Sequence, residues 1–204
     1  MARKERISKG KTMSPNYFVF CEGDTEVAYT EMLRSHYRLP IHIIAKKTLL
    51  NITPALIERC KSVYVQTKND HTYLMYDLDV ATMLDRLKKV TGAVLLCSNP
   101  CFELWLLLHY CEQKNELKSY DCVSKLVGFE KQYKKGALTD DMKLHLIKAK
   151  NVAIDRAQSL VAFNNPSTTV YQLVKDLDKL KQEEEKKEQN DTNGPHLCLQ
   201  KKED

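Results

Sequence analysis

Apolar and polar positions follow two rhythms along the first part of the chain. Short aromatic and β-branched runs closed by turn residues read as buried strands at 16–22 (NYFVFCE, ended by Gly23), 41–45 behind Pro40, 71–79 (HTYLMYDLD) and 93–97 (AVLLC). Between them the apolar positions recur at helical period. Val27, Ala28, Met32 and Leu33 mark a helix over 25–34 with Thr25 as its cap, and Thr53 with Pro54 at the first helical position opens a helix to about residue 65. Leu84, Leu87 and Val90 give 81–90 one apolar face, and the turn Ser98-Asn99-Pro100 precedes a strongly apolar helix over 102–111.

Four strand–helix alternations predict an α/β layer with a mainly parallel four-stranded sheet and right-handed crossovers. From Ser119 onward no further strand is expected. Three helical stretches follow, at about 119–134, 140–163 and 168–189, punctuated by Gly136, Asn164, Asn165 and Pro166, with Ser167 and Thr168 as caps of the last. The expected organisation is a flexible basic arm (1–15), an α/β core (16–118), a helical extension packed on it (119–189) and a disordered tail (190–204).

Composition narrows the class. A chain of 204 residues with 43% hydrophobic positions can bury one core. The apolar run Leu104 to Leu108 falls far short of the ~20 residues of a membrane span, and the basic start lacks the apolar core of a secretory signal. A cytoplasmic protein is expected, and its seven cysteines at irregular spacing suit reduced thiols. Of the net charge of +5, residues 1–11 hold +4 (Arg3, Lys4, Arg6, Lys9 and Lys11 against Glu5). The body is therefore only weakly basic, which argues against a broad electrostatic footprint for polyanions.

The candidate chemistry lies where acids end strands. In open parallel sheets, ligands bind beyond the carboxyl ends of the strands. Glu22 closes the first strand, and Asp77 and Asp79 close the third. Residues two apart in an extended segment face the same way, so Asp-x-Asp offers two carboxylates to one point, the oxygen ligands that a hard divalent ion prefers. The plainer alternative makes Asp77 and Asp79 turn residues and Glu22 a solvated strand end.

The ordered set Cys21-Glu22-Gly23-x-Thr25-Glu26 and Asp77-x-Asp79 resembles the Toprim signature of topoisomerases, primases and overcoming-lysogenization-defect nucleases. Two later segments, Ser98-Asn99-Pro100-Cys101-Phe102-Glu103-x-Trp105-Leu106-Leu107-Leu108-His109 and Asn165-Pro166-Ser167-Thr168, narrow the resemblance to the RloB-like family of bacterial defence proteins. The resemblance implies a Toprim-like fold acting on phosphodiesters with Mg²⁺ or Mn²⁺. It makes Glu22 the acid or base and Asp77 and Asp79 metal ligands.

Glu26 and Glu103 are positioned to add oxygens to a second ion, although an acid in a first helical turn is also favourable against the helix dipole. The Ser98 hydroxyl is a further helper, and Lys148 or Lys150 is the candidate to steady charge on a phosphate. Trp105 and its leucines read as core. The function expected is a metal-dependent nuclease acting on DNA or RNA, with tRNA among the candidates, as effector of an anti-phage system with a partner ATPase. The alternative is a non-catalytic subunit that binds nucleic acid or a partner. Clustered carboxylates favour the enzyme, because without a metal they repel phosphate.

Overall fold

The computed structural model describes residues 15–39, 41–45 and 52–192. Most of the expected basic arm, the tail beyond Thr192 and Pro40 lie outside these residues.

Four parallel strands form the centre: β1 (Tyr17–Cys21), β2 (Ile41–Ala45), β3 (His71–Asp77) and β4 (Val94–Asn99). A two-residue strand, β5 (Ser167–Thr168), joins antiparallel to β4, and the sheet order is β2-β1-β3-β4-β5. The helices are α1 (Asp24–Tyr37), α2 (Pro54–Lys61), α3 (Met83–Leu87), α4 (Glu103–Leu107), α5 (Ser119–Phe129), α6 (Asp140–Lys148), α7 (Lys150–Gln158) and α8 (Tyr171–Thr192). This is the mainly parallel, Toprim-like α/β arrangement that the pattern and motifs implied.

Period-two alternation sends each strand's side chains into two cores. Tyr17, Val19, Cys21, Tyr73, Met75 and Leu96 pack with α1 and α4 to α8 on one face. Phe18, Phe20, Leu74, Tyr76 and Cys97 meet Ile57 of α2 and Met83 and Leu87 of α3 on the other. Trp105 is fully buried, and its ring meets that of Tyr29 edge-on at 6.3 Å between centroids. It is core, as expected.

The helical extension departs from the expected pattern in two places. Ser167 and Thr168 do not cap the last helix. They pair with Asn99 and Ser98, while Thr169 takes a hydrogen bond from the Cys97 amide (2.8 Å) and donates to Leu95 O (2.7 Å). Thr168 and Thr169 satisfy their hydroxyls on β4 in this way, and the segment extends the sheet. The stretch expected as one helix over 140–163 is two, divided at Ala149. At the division Lys150 pairs with Asp178 of α8 and donates to the Tyr37 hydroxyl of α1 (3.2 Å), tying three helices together. The cap that the sequence placed at Thr53 is present, accepting from Leu56 N at 3.2 Å. Among the described residues no helix is long and apolar enough to cross a membrane.

Candidate active site

Strand order reverses between β1 and β3: β1 is followed in space by β2 on one side and by β3 on the other. At such a switch point the connections leave to opposite directions and open a crevice at the carboxyl ends of the strands. Glu22 follows β1 and Asp77 ends β3 at this place. The two are joined directly, because the Asp77 amide donates to Glu22 Oε2 at 2.9 Å.

A cavity of about 260 Å³ lies there, lined by Glu22, Glu26, Asp77 and Glu103 together with the turn at 23–25, Lys135 and Gly136. Gly23 precedes α1 in extended backbone, and a Cβ on it would stand 2.7 Å from Glu26 Oε2. Its lack of a side chain gives the Glu26 carboxylate its room. Glu26 and Glu103 are themselves buried, at 4% and 2% exposure.

Burial and mutual repulsion act on these acids together. Asp77 is pushed up to about 9, by burial first and then by its neighbours, Glu26, Glu103 and Glu22 among them. Glu26 is pushed up to about 7 by burial and by the charges of Glu103 and Glu22. Burial also raises Glu22, opposed by the Asp77 amide and reinforced by the charge of Asp79. Asp77 Oδ1 is sequestered and has no hydrogen-bond partner among the described residues.

The turn between α5 and α6 closes one side. The Gly136 amide donates to Thr25 Oγ1 (2.9 Å), the Thr25 and Tyr133 hydroxyls lie 3.5 Å apart, and the Tyr133 hydroxyl donates to Glu103 Oε1 (2.9 Å). Lys135 Nζ stands 3.6 Å from the same Glu103 oxygen. Partial burial works against the Lys135 charge, yet the carboxylates outweigh it and hold the ammonium above its ordinary value.

Of the residues singled out in the sequence, the fold brings Glu22, Glu26, Asp77 and Glu103 to one cavity. Asp79 does not line it: β3 ends at Asp77, so the same-side geometry of an extended segment stops there, and Asp79 is exposed, acting on Glu22 only through its charge. Lys148 is exposed in the last turn of α6 and Lys150 is held by Asp178, so neither lines the cavity. Ser98 is buried with its hydroxyl 2.9 Å from that of Thr168. Thr25 is no helix cap: Gly23 occupies that position, and the Thr25 side chain instead holds the 131–138 turn.

Lys135 and Tyr133 were missed by sequence reasoning. The available signal was the Lys134-Lys135-Gly136 turn, in which Gly136 takes a φ of +83°. That backbone favours glycine and marks a loop of fixed shape.

Carboxylate oxygens, one of them orphaned and buried, are the donors a hard divalent cation takes, and such a cation would relieve their repulsion. Glu22, Glu26, Asp77 and Glu103 are the residues that would hold it. Among the described residues no three His, Cys, Asp or Glu side chains close on an ion by themselves.

A search of curated proteins and of solved structures finds no match to the chain. The family model described as RloB-like protein matches residues 17–177, from the first residue of β1 into α8 and across every residue that lines the cavity. The chain belongs to the RloB-like protein family.

Proposed function

We propose that this chain is a metal-dependent nuclease that hydrolyses phosphodiesters in DNA or RNA, working in the cytoplasm as the effector of a bacterial anti-phage system under the control of a partner ATPase. The observation that carries the reading is the convergence of Glu22, Glu26, Asp77 and Glu103 at the switch point of the sheet. A fold keeps mutually repelling buried acids when a cation or a proton offsets them in use. A module that only binds polyanions gains nothing from them.

A bound Mg²⁺ or Mn²⁺ would supply positive charge to polarise a phosphoryl oxygen and to make water a better nucleophile. The protein's own groups supply the rest. Glu26, pushed up to about 7 in the metal-free fold, would give up its proton to hold the ion. Glu22, fixed by the Asp77 amide and lining the cavity, is the acid or base. Lys135 brings a cation to the mouth, where it draws in a phosphate and steadies the charge that develops on it. Tyr133 and Thr25 hold Glu103 and the turn in register, so the acids keep their spacing when the site fills.

The test is direct. Purified protein, alone and with its partner ATPase, is incubated with labelled DNA, total RNA and tRNA in Mg²⁺, Mn²⁺ or EDTA. Cleavage is expected with either metal and not with EDTA, weak for the lone chain and stronger with the partner. Glu22→Ala and Asp77→Ala should each lower it at least ~100-fold with the fold intact. Activity that survives in both variants removes the reading.

A further inference from the structure

Outside the cavity, three rings stack at the surface. Tyr110 lies against Phe129 of α5, with 5.4 Å between centroids and 25° between planes, and against His145 of α6, at 4.2 Å and 17°. The Tyr110 hydroxyl donates to Glu130 Oε1 at 2.7 Å, which pins the middle ring. Phe129 belongs to neither core and is 52% exposed. A large ring held in a stack yet open to water offers a flat π surface that needs no further ordering.

This column stands beside the cavity. Glu103 and Tyr110 are seven residues apart on α4 and the helical turns that prolong it to Cys111, whose amide donates to Leu107 O at 3.0 Å. Seven residues are two turns, so the two side chains share one side of the axis at a separation of roughly 10 Å. The segment after α5 spans the same gap. Glu130 holds Tyr110, Tyr133 holds Glu103, and the Tyr133 amide donates to Glu130 O at 2.9 Å.

Cations follow this segment toward the cavity. Lys131 and Lys134 are exposed and have no acid partner among the described residues, and Lys135 comes next at the mouth. Lys125, one turn before Phe129, donates to Gln113 and not to an acid. Of the acids, Glu130 is taken up by the Tyr110 hydroxyl, and Asp141 stands one turn before His145 at the far end of the column. An apolar protein surface would cover the ring and leave the lysines unanswered. A nucleic-acid strand answers both, with a π face on every base and a charge on every phosphate.

We propose that this strip binds the strand flanking the phosphodiester in the cavity, with an unstacked base on Phe129 and the intervening phosphates along Lys131 and Lys134. Stacked nucleotides rise about 3.4 Å each, so the substrate is nucleic acid with an unpaired base within about two or three nucleotides of the cleaved bond. This rests on the nuclease reading above and names its substrate class.

The test reads stacking apart from charge. Fluorescein-labelled 12-mers of DNA and of RNA, their duplexes, and an abasic 12-mer with the same phosphates are titrated with protein by anisotropy in Ca²⁺, and gels confirm that the strands stay intact. Phe129→Leu keeps apolar bulk over Tyr110 without the π face, and Phe129→Trp restores a larger one. Tyr120→Ala removes an exposed ring of the same helix that is outside the column. A double variant, Lys131→Glu with Lys134→Glu, reverses two charges.

The wild type should bind a natural single strand at least about tenfold more tightly than the abasic one, the scale of one stacked base. Phe129→Leu should lose that preference without changing duplex affinity, Phe129→Trp should keep it, and Tyr120→Ala should leave it untouched. The lysine variant should bind natural and abasic strands alike about tenfold more weakly, with a shallower salt dependence. A preference for bases that survives in Phe129→Leu, a loss as large in Tyr120→Ala, a lysine variant that binds as wild type does, or a wild type that binds no strand overturns the proposal. Failure of the wild type to hydrolyse any phosphodiester in Mn²⁺ overturns the nuclease reading instead. The binding comparison needs no turnover, so the two failures are told apart.

Discussion

At the scale of single residues, the chemistry turns on how far burial moves an acid from its ordinary behaviour. Asp77 has a pKa near 9 in the fold against about 4 in the unfolded chain. A group raised in this way binds more protons in the native state, so its stabilising contribution is complete below the unfolded value and is lost as pH rises through the folded one. The metal-free melting temperature should therefore fall as pH rises from 5 to 9, and Asp77→Asn, which keeps the shape without the titration, should flatten that fall. A melting curve equally steep in wild type and variant would sink the assignment. Gly23 makes a sharper case, because its extended backbone suits any residue and only the Glu26 carboxylate stands in the way of a Cβ. Gly23→Ala should displace that carboxylate and lower metal-dependent cleavage by about 10- to 100-fold. Its melting temperature should stay within about 2 °C of wild type.

Elements, and the turns that join them, decide which residues meet. The turn between α5 and α6 joins Tyr133 and Gly136 to Thr25 of α1 through two hydrogen bonds, and Tyr133 and Lys135 to Glu103 of α4 through a third and an ion pair. Gly92 and Gly136 both have positive φ, but a Cβ at Gly92 meets nothing within 4 Å, while one at Gly136 would stand 2.9 Å from the Asp24 Cβ. Alanine at either position pays a left-handed backbone cost of roughly 1–2 kcal/mol. Gly136→Ala should lose more stability than Gly92→Ala in chemical denaturation, and should alone reduce cleavage, since only its loop borders the cavity. Equal effects of the two would detach the turn from the site.

This contrast also shows what the sequence made legible. Glu22 and Asp77 were readable because local apolar runs end on them, and a strand end is a local property. Glu26 and Glu103 followed from helical spacing and from motif resemblance. Lys135 and Tyr133 reach the site only through contacts with residues about 30 to 110 positions away, which no local period encodes. The two-residue β5 is too short to show an alternation, and it exists because β4 offers it an edge. The division at Ala149 falls within a run of good helix formers with neither Gly nor Pro, and the tie from Lys150 to α1 and α8 is tertiary. Asp79 falls outside the cavity for a local reason: the strand expected to run to Asp79 ends at Asp77.

Across the whole molecule, a sheet with two cores holds the carboxyl ends of β1 and β3 in fixed register, so the acids cannot relax apart without disturbing the packing of both faces. Their repulsion is a standing cost to the native state, and a divalent ion that binds only that state stabilises it by RT ln(1 + [L]/Kd). With 1 mM Mn²⁺ and a Kd on the order of 0.1 mM for a site that keeps its waters, the gain is about 1.4 kcal/mol. For a chain of this size that is a rise of roughly 3–6 °C in melting temperature. The rise should grow from pH 6 to pH 8, because the ion competes with protons on Glu26 and Asp77, both held above the ordinary carboxylate range. Asp77→Asn should melt higher than wild type in EDTA at pH 8, because it need not take up a proton on folding, and should lose most of the Mn²⁺ response. Lys148→Ala, which alters an exposed position away from the cavity, should keep that response in full. A melting temperature indifferent to Mn²⁺ and EDTA, with a short single-stranded oligonucleotide present to complete the site, would show that these four acids do not gather a metal.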